Sequence, residues 1–142
     1  MIIVLDASVA AKWFFHDEPN VILARHVLSN IEVSTEQFLV PDLFFIELNA
    51  VLIKKSEYDF HFVKKAMELI LRLGLRTVPS LGDILQSANE LACNRKISVY
   101  DGIYLALAES VTGRWLTADL KAKKRIKSPY VISLDEYRKG EA

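Results

Sequence analysis

The chain predicts an α/β fold, with helices covering both faces of a central parallel β-sheet. Three observations carry this expectation. The run Ile2-Ile-Val-Leu5 is continuously apolar rather than alternating, as in a strand covered on both faces. Such runs alternate with longer helix-period segments along the chain, the pattern of successive βα units. No internal repeat, linker or low-complexity stretch interrupts that alternation, so the 142 residues suit a single domain, 1–142, with a sizeable core.

Asp6 follows the first strand, and Ser8 is placed to cap a helix over Val9 to Phe15. His16-Asp-Glu-Pro19 reads as a solvated loop before a helix from Val21 to about Ile31. Pro41-Asp42 opens the next helix, with Asp42 as N-cap, and its apolar part runs from Leu43 to Ile53 before Lys54-Lys55. Asp59 caps a helix from Phe60 to Leu73. Its apolar face is Val63, Ala66, Met67, Ile70 and Leu71, and its wet side is Lys64-Lys65, Glu68 and Arg72. Gly74 ends it, and Leu75 to Val78 resembles a second core strand. Ser80 and Asp83 form a capping-box-like start for a helix to about Arg95, on which Cys93 is expected to pack. Ser98 caps a helix that is apolar almost all round to Ser110, and Gly113 stands where it should stop. Arg114 to Ala118 is a strand, Asp119 opens a helix, and Val131 to Leu134 is a last strand. Ser133 with Glu136 forms a further capping box.

Half of the residues are hydrophobic (51%) and a quarter charged (25%), the profile of a soluble globular protein. No apolar run reaches membrane-spanning length, and a single cysteine suits a reducing compartment, so the cytoplasm is expected and a membrane is not. Lys and Arg balance Asp and Glu at 18 each, so no global charge announces a nucleic-acid partner.

Four acids lack a simple local explanation. Asp101 lies in the first turn of the apolar helix, and its helical neighbours Ile97, Ser98, Tyr104 and Leu105 offer no cation. Glu47 sits mid-helix among Leu43, Phe44, Ala50 and Val51, where an exposed face would carry other polar residues. Asp6 and Asp119 each follow an apolar strand and open a helix, at the sheet edge where α/β proteins bind ligands. Each also has a plainer reading. Asp101 can simply meet the helix dipole, Asp6 can be a turn or cap residue, and Lys123 can pair with Asp119. If the four converge, two carboxylates ~4 Å apart repel by about 4 kcal/mol at an effective dielectric near 20, and the set takes up protons or a divalent cation. Oxygen ligands without His or Cys select Mg²⁺ or Mn²⁺, ions that serve phosphate chemistry. His16, His26 and His61 are scattered and make no ligand spacing.

Ile3-Val-Leu-Asp6-Ala-Ser8, Pro41-Asp-Leu-Phe-Phe-Ile-Glu47, Tyr100-Asp101-Gly-Ile-Tyr-Leu-Ala-Leu-Ala108 and Trp115-Leu-Thr117-Ala-Asp119 together resemble the PIN-domain ribonucleases. Within that family the likeness is nearest to the VapC-type toxins of toxin–antitoxin pairs. It covers nearly the whole chain, and the four acidic motifs come in the family's order. The resemblance implies a three-layer α/β/α domain with about five parallel strands. It also implies a Mg²⁺- or Mn²⁺-dependent endonuclease acting on RNA, a homodimer, and inhibition by a cognate antitoxin. Carried over, Asp6, Glu47, Asp101 and Asp119 are the metal ligands and catalytic acids, with Ser8 and Thr117 as supporting hydroxyls. Glu47 is the most plausible group to orient or deprotonate the attacking water. Two positions depart from the pattern: the family often has Asn one turn after the helix Glu, where this chain has Ala50, and Gly102 replaces a usual Ala.

Other readings compete. A phosphotransfer fold of haloacid-dehalogenase or receiver type also places Asp after its first strand, but the former wants a second Asp where Ser8 stands. A non-catalytic PIN-like interaction module would be favoured by loss of an acid, and none is lost. With zero net charge, RNA binding has to rest on local clusters. The candidates are Lys54-Lys55 and the run Lys121, Lys123, Lys124, Arg125 and Lys127, which can equally be a solvated face. Trp13-Phe14-Phe15 and Phe44-Phe45-Ile46 suggest more aromatic surface than a small core needs. Either they all lie in the core, or they seat the expected dimer contact and an antitoxin peptide that brings a cation towards the acids.

Overall fold

Among the described residues, 1–139, five strands form one parallel sheet in this computed structural model: β1 (Ile3–Leu5), β2 (Phe38–Pro41), β3 (Arg76–Val78), β4 (Arg114–Thr117) and β5 (Val131–Ser133). Their order is β3-β2-β1-β4-β5, which places β1 at the centre. Ile3 stands opposite Phe38 on one side and Arg114 on the other, and Leu5 opposite Leu116. The helices are α1 (Ala7–Ala11), α2 (Val21–Val33), α3 (Leu43–Lys55), α4 (Phe60–Arg72), α5 (Asp83–Arg95), α6 (Val99–Ser110), α7 (Leu120–Ile126) and α8 (Leu134–Lys139).

The pleat of β1 sorts them into two layers. Ile3 and Leu5 join the core built with α1 to α4 and α8, whereas Val4 joins the core built with α6 and α7. Successive strand residues point to opposite faces, so a continuously apolar strand is what a sheet covered on both sides requires. The expected three-layer α/β/α architecture is therefore the observed one. α6 is buried without interruption from Gly102 to Ala108, as its all-round apolar sequence requires.

The second strand, β2, is the element that residue patterns miss. Its apolar run Phe38-Leu-Val40 is short and abuts Pro41, where a helix start dominates the reading. β3 is not a core strand. At the sheet edge, with β2 alone beside it, it leaves Arg76 and Thr77 exposed. Asp6, not Ser8, caps α1, accepting a hydrogen bond from Ser8 N at 3.0 Å. α1 ends at Ala11 rather than Phe15, because Lys12, Trp13 and Phe14 tighten into N–H bonds to carbonyls three residues back. Asp42 makes no side-chain cap to α3 and Ser80 none to α5; the Ser80 hydroxyl donates to the Asp42 carboxylate instead, and Ser80 N approaches it at 3.3 Å. Leu71 turns away from the α4 core face and is 66% exposed. Cys93 is exposed rather than packed. The aromatic surplus also disappears into the fold: Trp13 and Phe44 are buried, and Phe14, Phe15 and Phe45 pack against the same core, leaving Ile46 exposed.

Both unusual glycines of the α6 region have a packing reason. A Cβ on Gly102 would stand 2.7 Å from the backbone oxygen of Ala88, where α5 crosses α6. A Cβ on Gly113 would collide with Ile2 O, so this glycine serves the approach of β1 rather than a left-handed helix cap; Thr112 takes the positive φ instead. On an exposed helix Gly→Ala gains about 1 kcal/mol, but here the clash with backbone dominates. Gly102→Ala is accordingly expected to lower stability by about 1–3 kcal/mol. A urea denaturation midpoint equal to or above that of the parent would contradict this.

Candidate active site

Helices that return from a parallel sheet start at the carboxyl ends of the strands, and this edge gathers the acids. Asp6 ends β1, Asp119 follows the neighbouring β4, α3 brings Glu47 from the end of β2, and α6 begins with Asp101 in its first turn.

Asp6 is held at both oxygens. Oδ1 accepts from Ser8 N at 3.0 Å and Oδ2 from the indole Nε1 of Trp115 at 2.9 Å. Burial raises its proton affinity, and these donors oppose the rise without cancelling it. The Trp115 ring stacks on Tyr104, centroids 5.4 Å apart. Burial, with the charges of Asp6 and Glu47, pushes the Tyr104 phenol far up, so it stays neutral. Its hydroxyl neighbours Glu47, yet neither Tyr104 Oη nor the buried Glu47 Oε1 has a well-formed hydrogen bond. Burial raises the Glu47 carboxyl; Tyr104 opposes the rise, and the charges of Asp6 and Asp101 add to it. Glu47 thus feels both Asp6 and Asp101.

Asp101 lacks a cation on its own helix, but α7 supplies one: Arg125 Nη2 donates to its Oδ2 at 2.7 Å. Asp119 is the N-cap of α7, with Oδ1 accepting from Lys121 N at 3.0 Å and Ala122 N at 3.1 Å. The two hydroxyls fix that turn. Thr117 Oγ1 accepts from Asp119 N at 3.1 Å, Ser8 Oγ accepts from Ala118 N at 3.0 Å, and the hydroxyls lie 3.3 Å apart. Lys123 does not pair with Asp119; it pairs with Glu136 and donates to Val131 O at 3.2 Å, tying α7 to β5 and α8. Ser133 and Glu136 make the expected capping box. Lys54, Lys121 and Lys124 are exposed.

Among the described residues, no group of three acidic, His or Cys side chains is gathered closely enough to hold a cation as it stands. Glu47 lies in the field of Asp6 and of Asp101, whereas Asp119 lines a groove with Ser8 and Val51. The chemistry of the donors nevertheless fits a hard cation: all are oxygens, and Glu47 keeps a buried carboxylate oxygen without a partner. Trp115, Tyr104 and Arg125 were not singled out from sequence. The first two read as core, and Arg125 was one member of a basic run.

A family model described as PIN domain matches residues 3–127. No curated protein matches this sequence. The fold is similar to that of PAE2754 from Pyrobaculum aerophilum, at 16% identity and a TM-score of 0.66, over 100% of this chain and 97% of that one. It is also similar to VapC20 of Mycobacterium tuberculosis, described as a sarcin-ricin-loop-cleaving toxin. There the identity is 13% and the TM-score 0.69, over 91% of this chain and 96% of that one.

The raised Glu47 carboxyl makes a prediction about stability. Its folded-state value lies above the ordinary 4.5, so the folded chain holds a proton that the unfolded chain has already released. In chelator-treated protein, Glu47 therefore costs stability increasingly as pH rises from about 4.5 through that raised value. Glu47→Gln is expected to be the more stable protein at neutral pH by about 1 kcal/mol, with the gain vanishing towards pH 4.5. Urea melts of both proteins across that range measure it, and a pH-independent difference would refute the assignment.

Proposed function

This chain belongs to the PIN domain family, and on that premise we propose that it is a Mg²⁺- or Mn²⁺-dependent endoribonuclease, the toxin of a toxin–antitoxin pair. One observation carries the reading: a buried Glu47 oxygen lacks a partner beside Asp6 and Asp101, an arrangement that is costly unless a cation or proton joins it. The likeness to VapC20, described as a sarcin-ricin-loop-cleaving toxin, supports RNA as the substrate class.

Asp6, Glu47, Asp101 and Asp119 would hold the cation. When bound, it supplies a readily deprotonated water and neutralises charge on the phosphoryl group. The protein's own groups do the rest. The Trp115 indole and Ser8 N–H aim the two oxygens of Asp6, and the neutral Tyr104 hydroxyl stands beside Glu47. Glu47 is the acid we assign to orienting or deprotonating the attacking water. Ser8 and Thr117 position the turn that carries Asp119. Arg125 covers Asp101 until a stronger cation displaces it. Lys54, Lys121 and Lys124 are free to hold flanking phosphates, a task that Lys123 leaves to them because Glu136 engages it.

A homodimer and a cognate antitoxin complete the reading. With Trp13, Phe14, Phe15, Phe44 and Phe45 taken up by the core, the exposed apolar side chains nearest α3, namely Ile46, Ile53, Tyr58 and Phe60, are the surface we assign to such contacts. No described helix is long and apolar enough to cross a membrane. The exposed thiol of Cys93 suits a reducing compartment such as the cytoplasm.

Asp101→Asn tests the centre. Cleavage of single-stranded RNA in Mn²⁺ should fall by about two orders of magnitude or more. The metal-free melting temperature should barely move, because a half-exposed ion pair contributes only about 0–1 kcal/mol. Mn²⁺ should raise the melting temperature of the parent and not of the variant. Undiminished cleavage would refute the assignment.

The lysines predict a salt dependence. Each phosphate contact removed lowers the slope of log affinity against log salt by about 0.7 for a single strand. Lys121→Ala with Lys124→Ala should reduce it by about 1.4 while leaving the Mn²⁺-induced rise in melting temperature intact. An unchanged slope would make this face merely solvated.

A further inference from the structure

Beside Asp119 lies a groove of about 220 Å³, lined among others by Ser8, Lys12, Glu18 and Val51. We propose that Lys12 in this groove binds a backbone phosphate of the RNA adjacent to the one that is cut. The inference rests on the nuclease reading above.

Lys12 is a costly residue where it stands. It closes the short helix α1, and only 9% of its surface is exposed. Among the described residues its ammonium makes no hydrogen bond, and its one partner, Glu18, is 3.6 Å away. Burial, reinforced by the neighbouring Lys55, pushes its proton affinity down. Glu18 does not neutralise the pair. It is held more closely by Lys55, which also lies 4.9 Å above the Phe15 ring, so two lysines share one carboxylate. A nearly buried ammonium with donors to spare, opening on a groove, suits an anion.

The helical periods connect this groove to the acids. Ser8 and Lys12 are one turn apart on the same face of α1, and Glu47 and Val51 are one turn apart on α3. The groove therefore starts at Val51, one turn from Glu47, and takes in Ser8, Asp119 and Lys12. Its volume is several times the ~30 Å³ share of one water, which leaves room for a phosphate. A strand whose scissile phosphate lies at the acids would place a neighbouring phosphate there. Glu18, shared between the lysines, stands in for that anion when RNA is absent.

Lys12→Met and Glu18→Gln test the proposal together. Methionine keeps the length of the stem and removes a poorly solvated charge, so the variant should melt at or above the parent temperature. The probe is a fluorescein-labelled single-stranded oligoribonucleotide, with Ca²⁺ replacing Mn²⁺ during binding. Lys12→Met should weaken binding about tenfold and lower the salt slope by about 0.7. In Mn²⁺ it should raise KM with kcat little changed. Glu18→Gln should tighten binding, because it frees Lys12 and Lys55 from their shared anion. A Lys12 that serves only the ion pair gives the opposite: unchanged affinity and slope in Lys12→Met, and a less stable Glu18→Gln without tighter binding. That result, with the parent still cutting RNA, overturns the role of Lys12 alone. A parent protein that neither binds nor cuts RNA overturns this proposal together with the nuclease reading.

Discussion

Everything at the strand edge hangs on the Asp6 carboxylate. It ends the central strand, where burial penalises its charge, and it persists there because donors from two other elements meet its two oxygens. The Ser8 N–H makes it the cap of α1, and the Trp115 indole ties it to β4. Trp115 in turn stacks on Tyr104 of α6, whose hydroxyl stands beside Glu47 of α3. One chain of contacts, Asp6 to Trp115 to Tyr104 to Glu47, therefore sets the spacing of elements from both helical layers. The backbone joins in, with Asp6 N donating to Leu116 O at 3.0 Å and extending the β1–β4 ladder by one residue. Removing this carboxylate would disturb a helix cap, a strand junction and an aromatic stack together.

The same geometry leaves the site charged beyond what its protein donors can balance. Asp6 has two donors, Asp101 has Arg125 and Asp119 has two backbone N–H groups, but Glu47 keeps an oxygen with none. Burial raises the proton affinity of both Asp6 and Glu47, and at Glu47 the charges of Asp6 and Asp101 add to it. A structural ion network would distribute its partners more evenly. A half-buried acid perturbed in this way marks a functional-site candidate, and it is what supports the cation proposed there.

The fold was legible where a single local signal dominated. β1 and α6 read correctly because continuous apolarity means two-sided burial whatever the neighbours are. The caps by Asp59 and Ser98 read correctly because each side chain accepts from an N–H three residues on, within its own turn. Errors arose where a partner distant in sequence competed for the same atom. Ser80 bonds Asp42 across the sheet edge instead of capping α5, Lys123 prefers Glu136 to Asp119, and Arg125 reaches Asp101 from another helix. Gly102 looked like a weakness of α6 until the nearness of Ala88 O explained it. Four acids could be placed at one edge by their positions after strands and at helix starts. How closely they approach, and that Trp115 and Tyr104 stand among them, depends on contacts that no local pattern contains.

The zero net charge of the chain, finally, is a sum over opposed local fields rather than an absence of field. Glu47 lies in the field of Asp6 and Asp101 near the end of β1, while Lys12 and Lys55 share the Glu18 carboxylate in the groove beside Asp119. At about 0.1 M salt a charge is screened beyond ~10 Å, so a polyanion approaching this protein senses the nearest cluster and not the total. An arrangement of that kind attracts little from afar, and under the proposed function it favours a strand that sets phosphates against lysines while presenting one to the acids. On the proposed reading selectivity comes from the path between clusters, and the groove that holds Ser8 and Lys12 is the part of that path already formed by the fold.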